Sequence, residues 1–336
     1  MARQVLITGA TGFLGGVAAR DMRQAGWTVV TTGRDPVVGA KLKGEGFDFV
    51  SLDLSDDPDA LRKMAKDCEA VVHCAALSSP WGRKSEFVAC NVTATQNVLA
   101  ACREVGARLV HVSSPSVSFG FFHQRNLRED TPWPEPAANH YIATKRQAEQ
   151  LVRDAVDVSS IILRPKALIG PGDTTLLPRV LRAARRGRFP QFSDGDPLLD
   201  LTTASDVAAG LRLAAEAPES CLGKTYHLTG GQPLSASEAF NLLFESCGLN
   251  VRNFPITTRR ALILSGALEK LSQAFTGGLW EPPLTRYTVG SLAFEQTLDI
   301  SAARRELGYS PTGNIREALR ECGRHWRKQN EYPSST

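Results

Sequence analysis

The chain has 336 residues, 42% apolar and 22% charged, with 39 basic and 35 acidic side chains and a net charge of +4. That length allows one large or two interlocked α/β domains, and the ordinary composition excludes disordered, fibrous and disulfide-dense classes. The balanced charge gives no electrostatic case for a nucleic-acid partner, and no uninterrupted apolar run reaches the ~20 residues of a transmembrane helix.

Met1-Ala2-Arg3-Gln4 carries no long apolar leader and runs into Val5-Leu6-Ile7, a β-type segment. Seven scattered cysteines without a C-x-x-C pair argue against a metal site or disulfide framework and for a reducing compartment, so the expected localisation is cytoplasmic. The first strand ends in Gly9-Ala10-Thr11-Gly12-Phe13-Leu14-Gly15, and Leu14, Val17, Ala18, Met22 and Ala25 then recur at helical spacing. Glycines at this spacing between strand and helix let backbone N–H groups and the positive end of a helix dipole approach a pyrophosphate.

Gly26 stops that helix and Thr28–Thr32 reads as a second strand, closed by Gly33-Arg34-Asp35. An acidic residue at the strand end binds a ribose 2′-hydroxyl, whereas an arginine suits a 2′-phosphate. Arg34 therefore favours NADP(H), with NAD(H) as the lesser option. Phe47–Leu52 is a third strand, after which Asp53-Leu54 suits an adenine contact. Ala70–Cys74 is a fourth.

Helix-type sequence from Glu86 to Val105 leads to a fifth strand, Leu109–Ser113, and Ser113-Ser114-Pro115-Ser116 closes it. A hydroxyl there faces the crevice where such sheets bind ligands. Ser114 is preferred for polarising a carbonyl, with Ser116 and Ser113 as alternatives. In Tyr141-Ile142-Ala143-Thr144-Lys145 the i, i+4 spacing puts Tyr141 and Lys145 on one helical face. A nearby ammonium stabilises a phenolate, which turns a tyrosine into a usable acid/base. That helix runs to about Ala155 and precedes a sixth strand, Ser160–Leu163. Repeated strand–helix–strand units require right-handed crossovers, hence an α/β, Rossmann-type doubly wound parallel sheet.

Beyond Arg164-Pro165 the pattern changes. Gly170-Pro171-Gly172-Asp173 is a loop, and Arg179, Arg182, Arg185, Arg186 and Arg188 crowd the next helix, as a solvated surface or an attraction for an anionic substrate. Ser205 or Asp206 is the expected cap of a later helix, and Thr225–Leu228 a further strand. Residues 1–170 with 204–230 are expected to form the dinucleotide-binding domain. Residues 171–203 with 231–325 are expected to form a smaller C-terminal substrate domain. Ala261, Leu264, Leu268, Leu271 and Phe275 make a helical stripe expected to pack against the sheet domain, and Cys322 joins Ile315, Ala318 and Leu319 on another apolar stripe.

The glycine loop, Ser114, Tyr141 and Lys145 resemble the extended short-chain dehydrogenase/reductases over nearly the whole chain. Supporting segments are His73-Cys74-Ala75-Ala76, Asn91-Val92 with Thr95 and Asn97, and Leu163-Arg164-Pro165 followed by Gly170-Pro171-Gly172-Asp173. Ser113–Val117, Glu281–Arg286 and Arg305–Tyr309 are similar to the 3β-hydroxysteroid dehydrogenase branch, which includes bacterial 2-alkyl-3-oxoalkanoate reductases.

The resemblance implies an NAD(P)-dependent oxidoreductase acting on a secondary alcohol or ketone of a bulky apolar substrate. It implies Tyr141 as acid/base, Lys145 on the nicotinamide ribose, Ser114 on the carbonyl, Ala75 and Ala76 beside the cofactor and Pro165 on the nicotinamide face. It also implies a homodimer built through the helices bearing Asn91 and Tyr141. Lys166 departs from the family's usual small residue, and either narrows the site or supplies a cation. Rival readings are a sugar-nucleotide epimerase or dehydratase with tightly held NAD, and a non-catalytic NADP(H)-sensing protein.

Overall fold

The structure is a computed structural model that describes residues 3–331; Met1 and Ala2 of the N-terminal segment lie outside them. In chain order the strands begin with β1 (Gln4–Thr8), β2 (Thr28–Gly33), β3 (Asp48–Ser51), β4 (Ala70–His73), β5 (Arg108–Val112), β6 (Gln124–Leu127) and β7 (Ser160–Pro165). They continue with β8 (Leu168–Ile169), β9 (Arg188–Phe192), β10 (Leu198–Leu199), β11 (Thr202–Thr203), β12 (Thr225–Leu228), β13 (Leu234–Ser235), β14 (Arg252–Ile256) and β15 (Gln296–Leu298). The helices are α1 (Phe13–Gln24), α2 (Pro36–Gly44), α3 (Pro58–Ala65), α4 (Lys84–Phe87), α5 (Ala94–Val105) and α6 (His140–Asp154). After them come α7 (Leu177–Ala184), α8 (Ala204–Glu216), α9 (Ala236–Cys247), α10 (Thr258–Thr276), α11 (Arg286–Ala293) and α12 (Ile315–Glu331).

Seven strands form one parallel sheet in the order β12-β7-β5-β4-β1-β2-β3, the doubly wound arrangement expected. Alternation along each strand feeds two layers. Val5, Ile7, Val72, Val110, Ile161 and Leu163 join the core under α1 and α8. Leu6, Val71, Leu109 and Ile162 join the one under α3, α5 and α6. Burial of such aliphatic side chains is worth ~1.5–3 kcal/mol each. A third core, with Leu181, Phe189, Leu243, Phe244, Ile315 and Leu319, gathers α7, α9 and α12. Cys322 is buried there as its stripe implied. Small strand pairs β6/β15, β8/β11, β9/β14 and β10/β13 stitch the later segments together.

The chain departs from the sequence reading in four places. The helix before β5 starts at Lys84 rather than Glu86, and a π-turn at Val88–Thr93 separates α4 from α5. The cap of α8 is Thr203, whose hydroxyl accepts from Asp206 N–H at 3.1 Å; Ser205 and Asp206 already lie inside the helix. The α10 stripe does not pack on the sheet domain: Leu264 is 56% and Phe275 81% exposed. The helix turns small residues inward instead, Ala261, Ser265 and Ser272, a face that lets α11 approach closely. The arginines of α7 and of the segment after it disperse: Arg179 pairs with Glu281, Arg185 lies over Trp326 and Arg188 over Phe254.

One buried ion pair ties the sheet to α6. Arg164 at the end of β7 donates to Glu149 of α6 through Nη2 (2.6 Å) and Nε (3.1 Å), both side chains being fully buried. Ser113 donates its hydroxyl to the same carboxylate at 2.6 Å, Arg153 adds a contact at 2.8 Å, and Arg164 also reaches the Glu129 carbonyl and His227. Burial pushes the Glu149 carboxyl up, but Arg164, Ser113 and Arg153 together hold it below the usual value.

Removing one partner strands a buried charge, so R164M is expected to cost about 3–5 kcal/mol in urea unfolding. Because the folded Glu149 value is depressed, its contribution is present above the unfolded carboxyl pKa of ~4.3 and is lost as pH falls through the lower folded value. R164M should lose that part of the acid dependence; an unchanged acid profile would contradict the assignment.

Candidate active site

The glycine loop lies where the chain leaves β1 for β2 on one side and, later, β4 on the other, which opens a crevice at the strands' carboxyl ends. Gly9 has φ +68°, and an added Cβ would sit 2.7 Å from Ala75 N. At Gly15 a Cβ would meet the Gly9 carbonyl oxygen at 2.2 Å. Gly12 caps α1 without any side-chain hydrogen bond, so the first N–H groups of the helix face the crevice. This cradle, with no room for a side chain, fits a dinucleotide pyrophosphate. Thr11 abuts Gly33 at the end of β2.

At the ends of β2 and β3, Arg34 Nη1 lies 3.5 Å from Asp53 Oδ2 and 3.3 Å from Cys90 Sγ. Burial would raise the Asp53 carboxyl, but Ser55 and Arg34 hold it below the usual range. Leu54 is buried in the core and its carbonyl accepts from Asn97 Nδ2 at 2.7 Å. Asp35 caps α2, accepting from Val37 and Val38 N–H, and so turns away from the crevice.

A cavity of about 510 Å³ continues from the loop. Gly9, Gly12, Phe13, Leu14, Gly15, Ala76, Ser114, Tyr141, Lys145 and Pro165 line it, whereas Thr11, Arg34, Asp53, Leu54 and Ala75 lie behind or beside it. Asn139 caps α6 by accepting from Ile142 N–H at 2.9 Å, which sets Tyr141 and Lys145 in the first turns. Lys145 donates to the Val112 carbonyl at 2.6 Å and is only 3% exposed. Burial lowers its ammonium to about 8 despite Glu149 and Cys74 nearby.

The three serines differ in their hydrogen bonding. Ser113 is buried and spent on Glu149. Ser114 Oγ accepts from Ser116 N–H (3.2 Å) and Ser116 O–H (2.8 Å), so its own proton is free for the cavity. Behind Tyr141 and Lys145, Thr8 bonds His73 Nδ1 (2.8 Å) and Thr95 bonds Nε2 (3.1 Å). Burial, with Lys145 adding repulsion, drops that imidazole to about 3, so it stays neutral. Asn91 in the π-turn accepts from Leu77 N–H (2.7 Å) and donates to Thr144 (3.0 Å), pinning α6 to the loop after β4.

Sequence reasoning missed several residues here. Glu149 and Gln296 carry no motif. Gln296 Oε1 accepts from Lys166 Nζ at 2.6 Å. Tyr287 of α11 lies near Tyr141 and Ser116, and burial pushes its phenol well up. The Glu281–Arg286 segment, read only as a resemblance to a family branch, ends one residue before Tyr287.

Residues 5–228 match the NAD dependent epimerase/dehydratase family. Over 332 residues the chain is 33% identical to a 2-alkyl-3-oxoalkanoate reductase of Stenotrophomonas maltophilia (strain K279a), covering 94% of this chain and 97% of that protein. It is 30% identical to 3beta-hydroxysteroid-dehydrogenase/decarboxylase isoform 1 of Arabidopsis thaliana, covering 88% of this chain and 71% of that one. Among solved structures, UDP-glucuronic acid 4-epimerase from Bacillus cereus, in complex with UDP-glucuronic acid and NAD, superposes with a TM-score of 0.75. It shares 21% identity over 97% of this chain and 99% of that chain, a likeness of fold.

G15A should force the loop open and weaken dinucleotide binding by about tenfold or more, read by nucleotide fluorescence titration. G44A, whose Cβ meets nothing within 4 Å, is the matched control and should bind as the parent does.

Proposed function

The chain belongs to the NAD dependent epimerase/dehydratase family, and we propose that it is an NADP(H)-preferring, NAD(H)-tolerant reductase of bulky apolar 3-oxo compounds, of the 2-alkyl-3-oxoacid or 3-ketosteroid type. The observation that carries this reading is the cavity itself. Ser114, Tyr141 and Lys145 line one end, and Leu176, Leu199, Phe240, Leu243, Leu292 and Phe294 line the rest. Such a wall suits an alkyl chain or a sterol better than a nucleotide sugar.

The residues that would hold the cofactor are the loop 9–15, Ala75 and Ala76, Asp53-Leu54 on the adenine side, Arg34 on a 2′-phosphate and Pro165 on the nicotinamide face. When bound, the nicotinamide gives or takes the hydride. Ser114 donates its free proton to the substrate carbonyl oxygen, and Tyr141 delivers a proton to that oxygen as charge develops. Lys145, anchored on Val112, holds a positive charge beside Tyr141 and stabilises the tyrosyl oxygen once its proton has left.

In this reading 1–170 with 204–230 carry the cofactor and 171–203 with 231–325 the substrate. The enzyme is cytoplasmic and dimerises through the helices bearing Asn91 and Tyr141. No helix among the described residues is long and apolar enough to cross a membrane.

Net NADPH oxidation driven by an apolar 3-oxoacid or 3-ketosteroid is the expected activity; NAD retained through purification with no net consumption would instead be epimerase behaviour. Tyr141→Phe should lower kcat by roughly 10²–10⁴ while dinucleotide binding is retained, and wild-type turnover in that variant would sink the mechanism. Arg34→Ala should lower the NADPH-to-NADH ratio of kcat/KM by about tenfold, measured by initial rates with each nucleotide.

A further inference from the structure

Three cations line the cavity, and they differ in what answers their charge. Lys145 is held by the Val112 carbonyl with Glu149 nearby. Arg179 is paired with Glu281 at 3.3 Å and donates to the Thr175 carbonyl at 3.0 Å. Lys166 is held much as Lys145 is, by one neutral acceptor with a carboxylate nearby, and unlike Arg179 it has no ion pair among the described residues. Its ammonium has three protons to donate, and Gln296 Oε1 at 2.6 Å is its hydrogen-bond acceptor among the described residues. The carboxylate that bears on it electrostatically, Asp200, forms no ion pair with it and is engaged elsewhere, by the Thr229 hydroxyl and by Leu298 N–H at 3.0 Å. Burial lowers the Lys166 ammonium to about 8, which leaves it largely charged at neutral pH.

Its position matters as much as its charge. Lys166 directly follows Pro165 at the carboxyl end of β7. Its partner Gln296 donates through Nε2 to the Pro115 carbonyl at 3.3 Å, next to Ser114. The ammonium is thus cross-linked to the segment that presents the carbonyl-binding hydroxyl.

From this we infer that Lys166 is a specificity-determining residue: it anchors the carboxylate of a 3-oxoacid substrate and thereby sets the ketone against Ser114 and Tyr141. In such an acid a single carbon separates the ketone carbon from the carboxyl carbon. An anion anchor must therefore lie at the same end of the cavity as the carbonyl-binding hydroxyl, the end to which Lys166 is tied through Gln296 and the Pro115 carbonyl. The inference rests on the reductase reading above and narrows it from apolar ketones in general to those carrying a β-carboxylate.

The test uses the stable reverse substrates, 2-butyl-3-hydroxyoctanoate and its methyl ester, with full-length enzyme and whichever dinucleotide supports turnover. Wild type should prefer the acid. K166M should lower the acid-to-ester ratio of kcat/KM by about 10- to 100-fold, chiefly through KM, and K166R should recover most of it. An unchanged ratio in K166M overturns the assignment. So does an equal loss on both substrates accompanied by weaker dinucleotide binding, which would give the cation to the cofactor.

If K166M does not fold, wild type is inhibited with 2-butyloctanoate and its methyl ester: tighter binding of the acid by about tenfold sustains the anchor, and equal binding refutes it. Wild type that turns over the ester but not the acid overturns the anchor and leaves the reductase reading standing. Inertness towards both while a 3-ketosteroid is turned over overturns the anchor alone, and inertness towards all three overturns the anchor and the reductase reading together.

Discussion

Arg164 and Glu149 meet in the dry interior at the point where β7, α6, the end of β5 and β12 converge. Each would be costly alone. Together, with Ser113, Arg153, His227 and the Glu129 carbonyl completing their hydrogen bonds, they fix the angle at which α6 lies against the sheet. Everything in the cavity depends on that angle. Tyr141 and Lys145 stand two and one turns upstream of Glu149 on the same helix, while Pro165 ends the strand after Arg164 and Lys166 comes next. The clamp also engages the Ser113 hydroxyl, whereas that of Ser114 stays at the cavity.

The site is organised around buried positive charge. Lys145 lies among groups that tolerate it, a carbonyl and a distant carboxylate on one side and a neutral His73 on the other. Among the described residues no direct ion pair takes up that charge. At the opposite wall, Leu176 before α7, Phe240 and Leu243 of α9 and Leu292 of α11 give the cavity an apolar side, with Thr174, Thr175, Thr288 and Ser291 among them.

Much of this was legible in the chain because it rests on short-range periodicity. Alternating aliphatic residues announce strands buried on both faces. Glycines between strand and helix announce the cradle, and Tyr141 and Lys145 share a face by helical spacing alone. What escaped depends on contacts across long separations. Glu149 with Arg164, and Lys166 with Gln296 from a strand 130 residues away, have no local signature. The α10 leucines misled for a related reason: a helical stripe reports that a face is apolar, not that something covers it. Thr203 displaced Ser205 as a cap because β11 hands directly into α8, so the helix starts earlier than polarity alone implied. The resemblance to extended short-chain dehydrogenase/reductases supplied what pattern could not, and the match over residues 5–228 bears it out.

The π-turn at Val88–Thr93 bears on how this lineage can vary. A π-turn holds one residue more than an α-turn, so α4 and α5 are out of phase across it. That offset brings Asn91 round to Leu77 and Thr144 while Phe87 stays in the core. Point substitutions elsewhere in the helix leave the phase untouched. A single-residue deletion would restore a regular helix and rotate everything before the break by ~100°, so chain length in this stretch is under tighter constraint than residue identity.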